Sequence, residues 1–107
     1  MSTRKETIEF ILEKLGHKGR FSARAMFGEY ALYADKKVVA LVCDDILYVK
    51  IFPASIELEA ICEKGEPYPG AKQCYIVEEG QISSIQYLPN ILLDLAACIP
   101  EKKKKKR

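Results

Sequence analysis

Apolar side chains recur along this chain with two different periods, and the change of period marks out the elements. Ile8, Ile11, Leu12 and Leu15 stand at i, i+3, i+4 and i+7, which places them on one face of a helix. Thr3 and Glu6 have the spacing of a capping box at its start, and Gly16 offers the left-handed backbone that ends helices. His17 to Arg20 is a polar connection. A three-strand meander follows. Ala25 to Ala34 is rich in aromatics and holds Gly28, which reads as a bulge. Asp35-Lys36-Lys37 turns the chain, Val38 to Cys43 is apolar throughout, Asp44-Asp45 turns it again, and Ile46 to Ile51 closes the meander. Turns this short join antiparallel strands, because a parallel crossover needs a longer connection.

The middle strand carries the most information. A strand with one wet face alternates apolar and polar residues. Residues 38–43 do not alternate, whereas in the next strand Leu47, Val49 and Ile51 face one way and Ile46, Tyr48 and Lys50 the other. The sheet is therefore expected to have one helix-covered face and a second face that is still apolar near its centre. A second copy of the chain is the simplest cover for that face, which gives an expectation of a homodimer; Tyr and Lys stems shielding it in a monomer is the alternative.

Pro53 and Ser55 open a second helix, with Leu58, Ile61 and Cys62 on one side and Gly65 at its end. Glu66 to Gly70 is a rigid loop in which Pro69-Gly70 suits the centre of a type II turn. Lys72 to Glu78 reads as a strand and Glu79-Gly80 as a turn. Two readings of the next stretch stay open. Ile85, Leu88, Leu92, Leu95 and Ile99 form a helical stripe; alternatively, 82–88 is a short strand with Pro89 at the first helical position. Both readings make 90–98 helical, and Pro100 stops that helix.

Length and charge sharpen this outline. A chain of 107 residues, 49% of them hydrophobic, makes one globular domain, here residues 1–100 followed by a tail at 101–107. The net charge of +2 comes from 17 basic and 15 acidic residues, but Lys102 to Arg107 supplies six of the basic ones. Subtracting those six from 17 leaves 11 basic against 15 acidic, so residues 1–101 carry −4 and residues 102–107, expected to be disordered, carry +6. Such a tail allows weak, sequence-blind contact with nucleic acid; the bland alternative is a solubilising end. No apolar run is long enough to span a membrane, and no apolar signal core follows Met1, so the expected location is the cytoplasm. Cys43, Cys62, Cys74 and Cys98 form no close pair, which fits reduced core thiols rather than a metal or redox site.

Catalytic signals are absent from the pattern. His17 is the sole histidine and has no nucleophile motif around it. Asp44-Asp45 and Glu78-Glu79 read as turn residues, not as an acid/base pair. The segment from Gly65 to Lys72 superficially resembles a phosphate-binding loop. However, Ala71 separates Lys72 from Gly70, and Pro67 and Pro69 remove N–H groups that would hold phosphate. We therefore expect no enzyme activity, no cofactor and no metal.

The meander and the loop after it resemble a known family. Arg24-Ala-Met26-Phe27-Gly28-Glu-Tyr30-Ala-Leu32-Tyr33, then Val39-Ala-Leu-Val42 and Asp45-Ile-Leu-Tyr48-Val-Lys50, are similar to the N-terminal domain of the TfoX/Sxy competence regulators. Pro67-Tyr68-Pro69-Gly70-Ala71-Lys72 and the lysine-rich end resemble short, stand-alone members. Ala31 departs from the glycine many members carry there. The resemblance implies an α+β, two-layer fold: an antiparallel sheet of four to five strands with helices on one face, in the order α-β-β-β-α-β-(β)-α. It also implies a non-enzymatic regulatory domain working by protein contact. Full-length members control genes for DNA uptake with a cyclic-AMP-dependent transcription factor and carry a second helical domain, which this chain is expected to lack. Arg24, Met26, Phe27, Gly28, Tyr30, Tyr33, Tyr48, Lys50, Tyr68 and Lys72 are the residues carried over as a candidate interaction set.

Overall fold

The computed structural model describes residues 3–16, 19–26 and 29–99. Along the chain run α1 (Lys5–Leu15), β1 (Phe21–Met26), β2 (Glu29–Ala34), β3 (Lys37–Cys43), β4 (Ile46–Lys50), a 3₁₀ helix (Pro53–Ala60), β5 (Glu63–Gly65), β6 (Cys74–Val77), α2 (Glu79–Ser84) and α3 (Leu88–Cys98). The six strands form one antiparallel sheet in the order β1-β2-β3-β4-β6-β5. The fold is α+β with two layers, as expected, and has one strand more than the upper expectation.

Register decides which residues face the helices. Leu32 pairs with Ala40, Ala40 with Val49, and Val49 with Tyr75; Val42 pairs with Leu47, and Leu47 with Val77. Directly paired residues share a face. All seven are buried in one core with Ile8, Ile11 and Leu15 of α1, Leu58 of the 3₁₀ helix, Ile82 of α2, and Leu88, Ile91, Leu92 and Leu95 of α3. The second face carries the alternate residues Arg24, Ala31, Leu41, Tyr48 and Ile76, which pair in that order across the sheet.

Two turns set this register. Asp35 and Lys36 have φ of 50° and 72°, and Asp44 and Asp45 have φ of 54° and 65°. Positive φ at both central residues is the hairpin geometry that matches strand twist, and Asp tolerates it. Arg20 clamps the first turn: its Nε and a terminal nitrogen lie 2.7 and 2.6 Å from the two Asp35 oxygens. A further turn follows the expectation closely. The Ala71 N–H donates to Tyr68 O at 3.0 Å with Gly70 at φ 90°, the type II arrangement for Pro69-Gly70.

Several expectations are corrected. The aromatic stretch 25–34 is not one strand: β1 and β2 pair from Met26 opposite Glu29, so the chain reverses there. Gly28, expected as a bulge, lies outside the described residues. A register shift falls instead between Leu32 and Tyr33: Leu32 opposes Ala40 and Tyr33 opposes Val38, which leaves Val39 as the additional residue on β3. The second helix does not run to Gly65. The 3₁₀ helix stops at Ala60 because residues 63–65 must extend to pair with β6 at the sheet edge. A Cβ on Gly65 would come within 2.8 Å of Ile76 Cδ1, so its role is close packing rather than helix ending. Glu79 and Gly80 begin a helix rather than a turn. Of the two readings of 82–88 the strand is excluded: 79–84 is helical, and Pro89 sits in the first turn of α3.

The expected capping box is also replaced. No side chain within α1 caps its start. Thr3 is buried, with its Oγ1 2.6 Å from Glu29 Oε1 and 3.1 Å from Val42 O, and it accepts the Asp45 N–H at 3.2 Å. Asp45, from the β3–β4 turn, accepts the Arg4 N–H and the Thr7 hydroxyl, both at 2.8 Å. A distant turn thus supplies the anion that a helix N-terminus favours.

These bonds, the Arg4 N–H first and Thr7 next, hold the Asp45 carboxyl below the usual carboxylate range against the opposing effect of desolvation. A folded pKa below the unfolded one stabilises the fold at pH above about 4, and this stabilisation is lost as pH falls through the folded value. Asp45→Asn keeps a residue that accepts positive φ. It should melt lower than the parent near neutral pH, and the gap should close below about pH 4, read from thermal melts of both proteins. A gap that stays constant down to the lowest pH contradicts this assignment.

Candidate functional site

The face of the sheet away from the helices is neither bare nor fully covered. The segment between β5 and β6 lies against it, where Pro67 and Tyr68 line clefts together with Leu41. Two clefts result, one on each side of this strap. The larger, about 480 Å³, is lined by Met26, Glu29, Leu41, Cys43, Pro67 and Tyr68. The smaller, about 260 Å³, is lined by Leu41, Lys50, Pro67, Tyr68, Lys72 and Cys74 among others. Leu41, Pro67 and Tyr68 are common to both, so the clefts form one continuous surface.

Rigid elements position this surface. Lys50 ends β4, where the buried Ser55 hydroxyl lies 2.8 Å from the Lys50 carbonyl and accepts the Phe52 N–H at 3.0 Å. The loop that carries Tyr68 is stiffened by Pro67, Pro69 and the type II turn, which lowers the entropy lost on ordering it. At the far end of the sheet, the Glu29 carboxylate is held by Thr3 and by the Asp44 N–H at 2.9 Å. Met26 and Tyr68 remain 41% and 56% exposed, which is high for residues this apolar.

The structure brings part of the carried-over set together. Met26, Lys50, Tyr68 and Lys72 line the two clefts. Tyr48 sits on the same face between Leu41 and Ile76, and burial pushes its hydroxyl pKa up. Arg24 and Tyr33 share that face, towards the β1 edge, but line neither cleft. Tyr30 pairs with Val42 on the helix side and packs against the core, although it reaches the margin of the larger cleft. Phe27, Gly28, His17 and Lys102 to Arg107 lie outside the described residues. Leu41, Cys43 and Cys74 were missing from the set. Their signal was present, since the unbroken apolar run of β3 requires Leu41 and Cys43 to face away from the core.

Burial raises the thiol pKa of Cys43, Cys62 and Cys74, which keeps them protonated and weakly nucleophilic. For Cys74 the opposing effect of the Lys50 charge is the smaller one. No group of three His, Cys, Asp or Glu side chains among the described residues is arranged to hold a metal ion. A thiol reagent should therefore modify the exposed Cys98 fastest in native protein and the buried Cys43 and Cys74 slowest, with all four alike in denaturant. Peptide mapping of a time course reads this out. Early modification of Cys74 would show that the strap does not cover it.

Comparison with known proteins agrees with this architecture. A family model described as the TfoX N-terminal domain matches residues 13–82, which span the sheet from β1 to β6, the C-terminal end of α1 and most of α2. A protein of Spirochaeta aurantia, described as an uncharacterized 12.7 kDa protein in the trpE 5′ region, is 36% identical over 106 residues. That match covers 99% of this chain and 91% of the relative. No described helix is long and apolar enough to cross a membrane. With its sheet order, its aromatic hairpin and its strap all inside or beside the matched region, this chain belongs to the TfoX N-terminal domain family.

Proposed function

We propose that the chain is a non-enzymatic regulatory domain of the cell interior, acting by protein contact through the open face of its sheet. It serves gene regulation of the kind that the competence regulators perform. The supporting observation is the continuous apolar surface around Leu41 and Tyr68, on the side that no described helix covers. Exposed apolar patches flanked by polar residues mark contact sites. The protonated thiols add to this, since they leave the face without an activated nucleophile.

Capture of partners from native lysate on tagged full chain, with and without nuclease, separates this reading from its competitor. A protein partner that survives nuclease is expected. Loss of every partner on nuclease treatment would transfer the function to nucleic acid held by Lys102 to Arg107.

Self-association belongs to the same proposal, through a different surface. Strand β1 is an edge of the sheet, and Ser22, Arg24, Ala25 and Met26 on it are exposed. Edge strands pair readily with a second copy about a two-fold axis, and such a dimer leaves the open face free. Light scattering at high micromolar concentration should give the dimer mass; a monomer there ends this part of the proposal.

A further inference from the structure

We infer that the open face docks an acidic segment of a protein partner, with carboxylates set on Lys50 and Lys72 and an apolar side chain in the neighbouring cleft beside Tyr68. This rests on the protein-contact reading and names the chemistry of the partner.

Charge complementarity favours this partner. The body of the chain is acidic, at −4, yet the two charged side chains that line the smaller cleft are both lysines. Neither is ion-paired with a described residue. They come from different elements: Lys50 ends β4, and Lys72 belongs to the strap, two residues before Cys74, which pairs with Lys50. Two ammonium groups lining one cleft make it favour an anionic ligand group. Beside it, Met26, Leu41, Pro67 and Tyr68 offer an apolar floor and an aromatic wall. A ligand satisfying both parts carries carboxylates next to a leucine- or phenylalanine-like group.

Other occupants fit less well. The tail of this chain is six basic residues and repels the two lysines. In a second copy docked face to face, four lysines would meet, and the acid that lines the larger cleft, Glu29, already binds Thr3 and the Asp44 N–H.

The test uses full chain labelled with ¹⁵N and a short synthetic peptide alternating glutamate with leucine and phenylalanine. Controls are the same peptide with lysine for glutamate, and a thymidine oligonucleotide. The acidic peptide should shift amide signals of Leu41, Lys50, Tyr68 and Lys72, weaken with added salt, and outbind the lysine peptide. Lys72→Glu, on the exposed loop, should raise its Kd about tenfold or more, and Lys50→Glu likewise. Unchanged spectral dispersion confirms that each variant is folded. Absence of shifts at millimolar peptide, shifts elsewhere on the molecule, equal binding of the lysine peptide, or tighter binding of the oligonucleotide at these residues would each overturn the inference. If a nuclease-resistant partner from lysate is held equally by parent and Lys72→Glu, the protein-contact reading stands and the acidic docking fails.

Discussion

A β-sheet has two faces, and in this chain the described helices pack on one of them. The six antiparallel strands turn Leu32, Ala40, Val42, Leu47, Val49, Tyr75 and Val77 towards α1, α2, α3 and the 3₁₀ helix, and all of these are buried together. Burying a large apolar side chain contributes about 1.5–3 kcal/mol, so this single layer holds most of the stability of the fold. The exposed residues of the opposite face, such as Met26 and Tyr68, are then free to vary in a way the core is not. That freedom is used for an apolar, lysine-edged surface instead of the alternation of a fully wet sheet.

The second face is kept from being a plain aggregation hazard by local devices. A short strap, stiffened by Pro67, Pro69 and the Tyr68–Ala71 turn, lines both clefts of the apolar area together with Leu41. The ends of the sheet are pinned by polar bonds that run between distant elements. Asp45 receives α1, Arg20 grips Asp35, and Lys37 Nζ donates to Ile99 O at 2.9 Å beyond the end of α3. Each sits at a terminus where backbone groups lack intrahelical or ladder partners. These contacts orient the layers; the apolar face supplies the stability.

Much of this was legible in the residues. The 3.6-residue stripe of α1, the apolar run of β3, the alternation of β4 and the Pro69-Gly70 turn are strong local signals, and the structure follows them. The failures share one cause, which is that a tertiary partner decided the outcome. Thr3 and Glu6 have capping-box spacing, but Asp45, a long way off in sequence, took the helix start. Residues 25–34 lack a strong turn signal at the reversal opposite Glu29, so two strands read as one. Residues 63–65 have no strand pattern of their own and extend only because β6 has an unfilled edge. At the site, Lys50 and Lys72 are far apart in sequence, and only the strap reveals that they share a cleft. The inward turn of Tyr30 was hidden by the same misreading of its strand, because its facing follows from its pairing with Val42.

The division of labour between the two faces is measured most directly by urea unfolding of matched variants. Met26→Ser with Tyr68→Ser removes the exposed apolar groups of the open face, and Leu95→Ala cuts into the helix-side core. The account predicts that the open-face pair leaves the unfolding free energy within about 0.5 kcal/mol of the parent. Leu95→Ala should cost about 2–5 kcal/mol. A comparable loss in the open-face pair would show that this face is part of the core and contradict its assignment as a surface for partners.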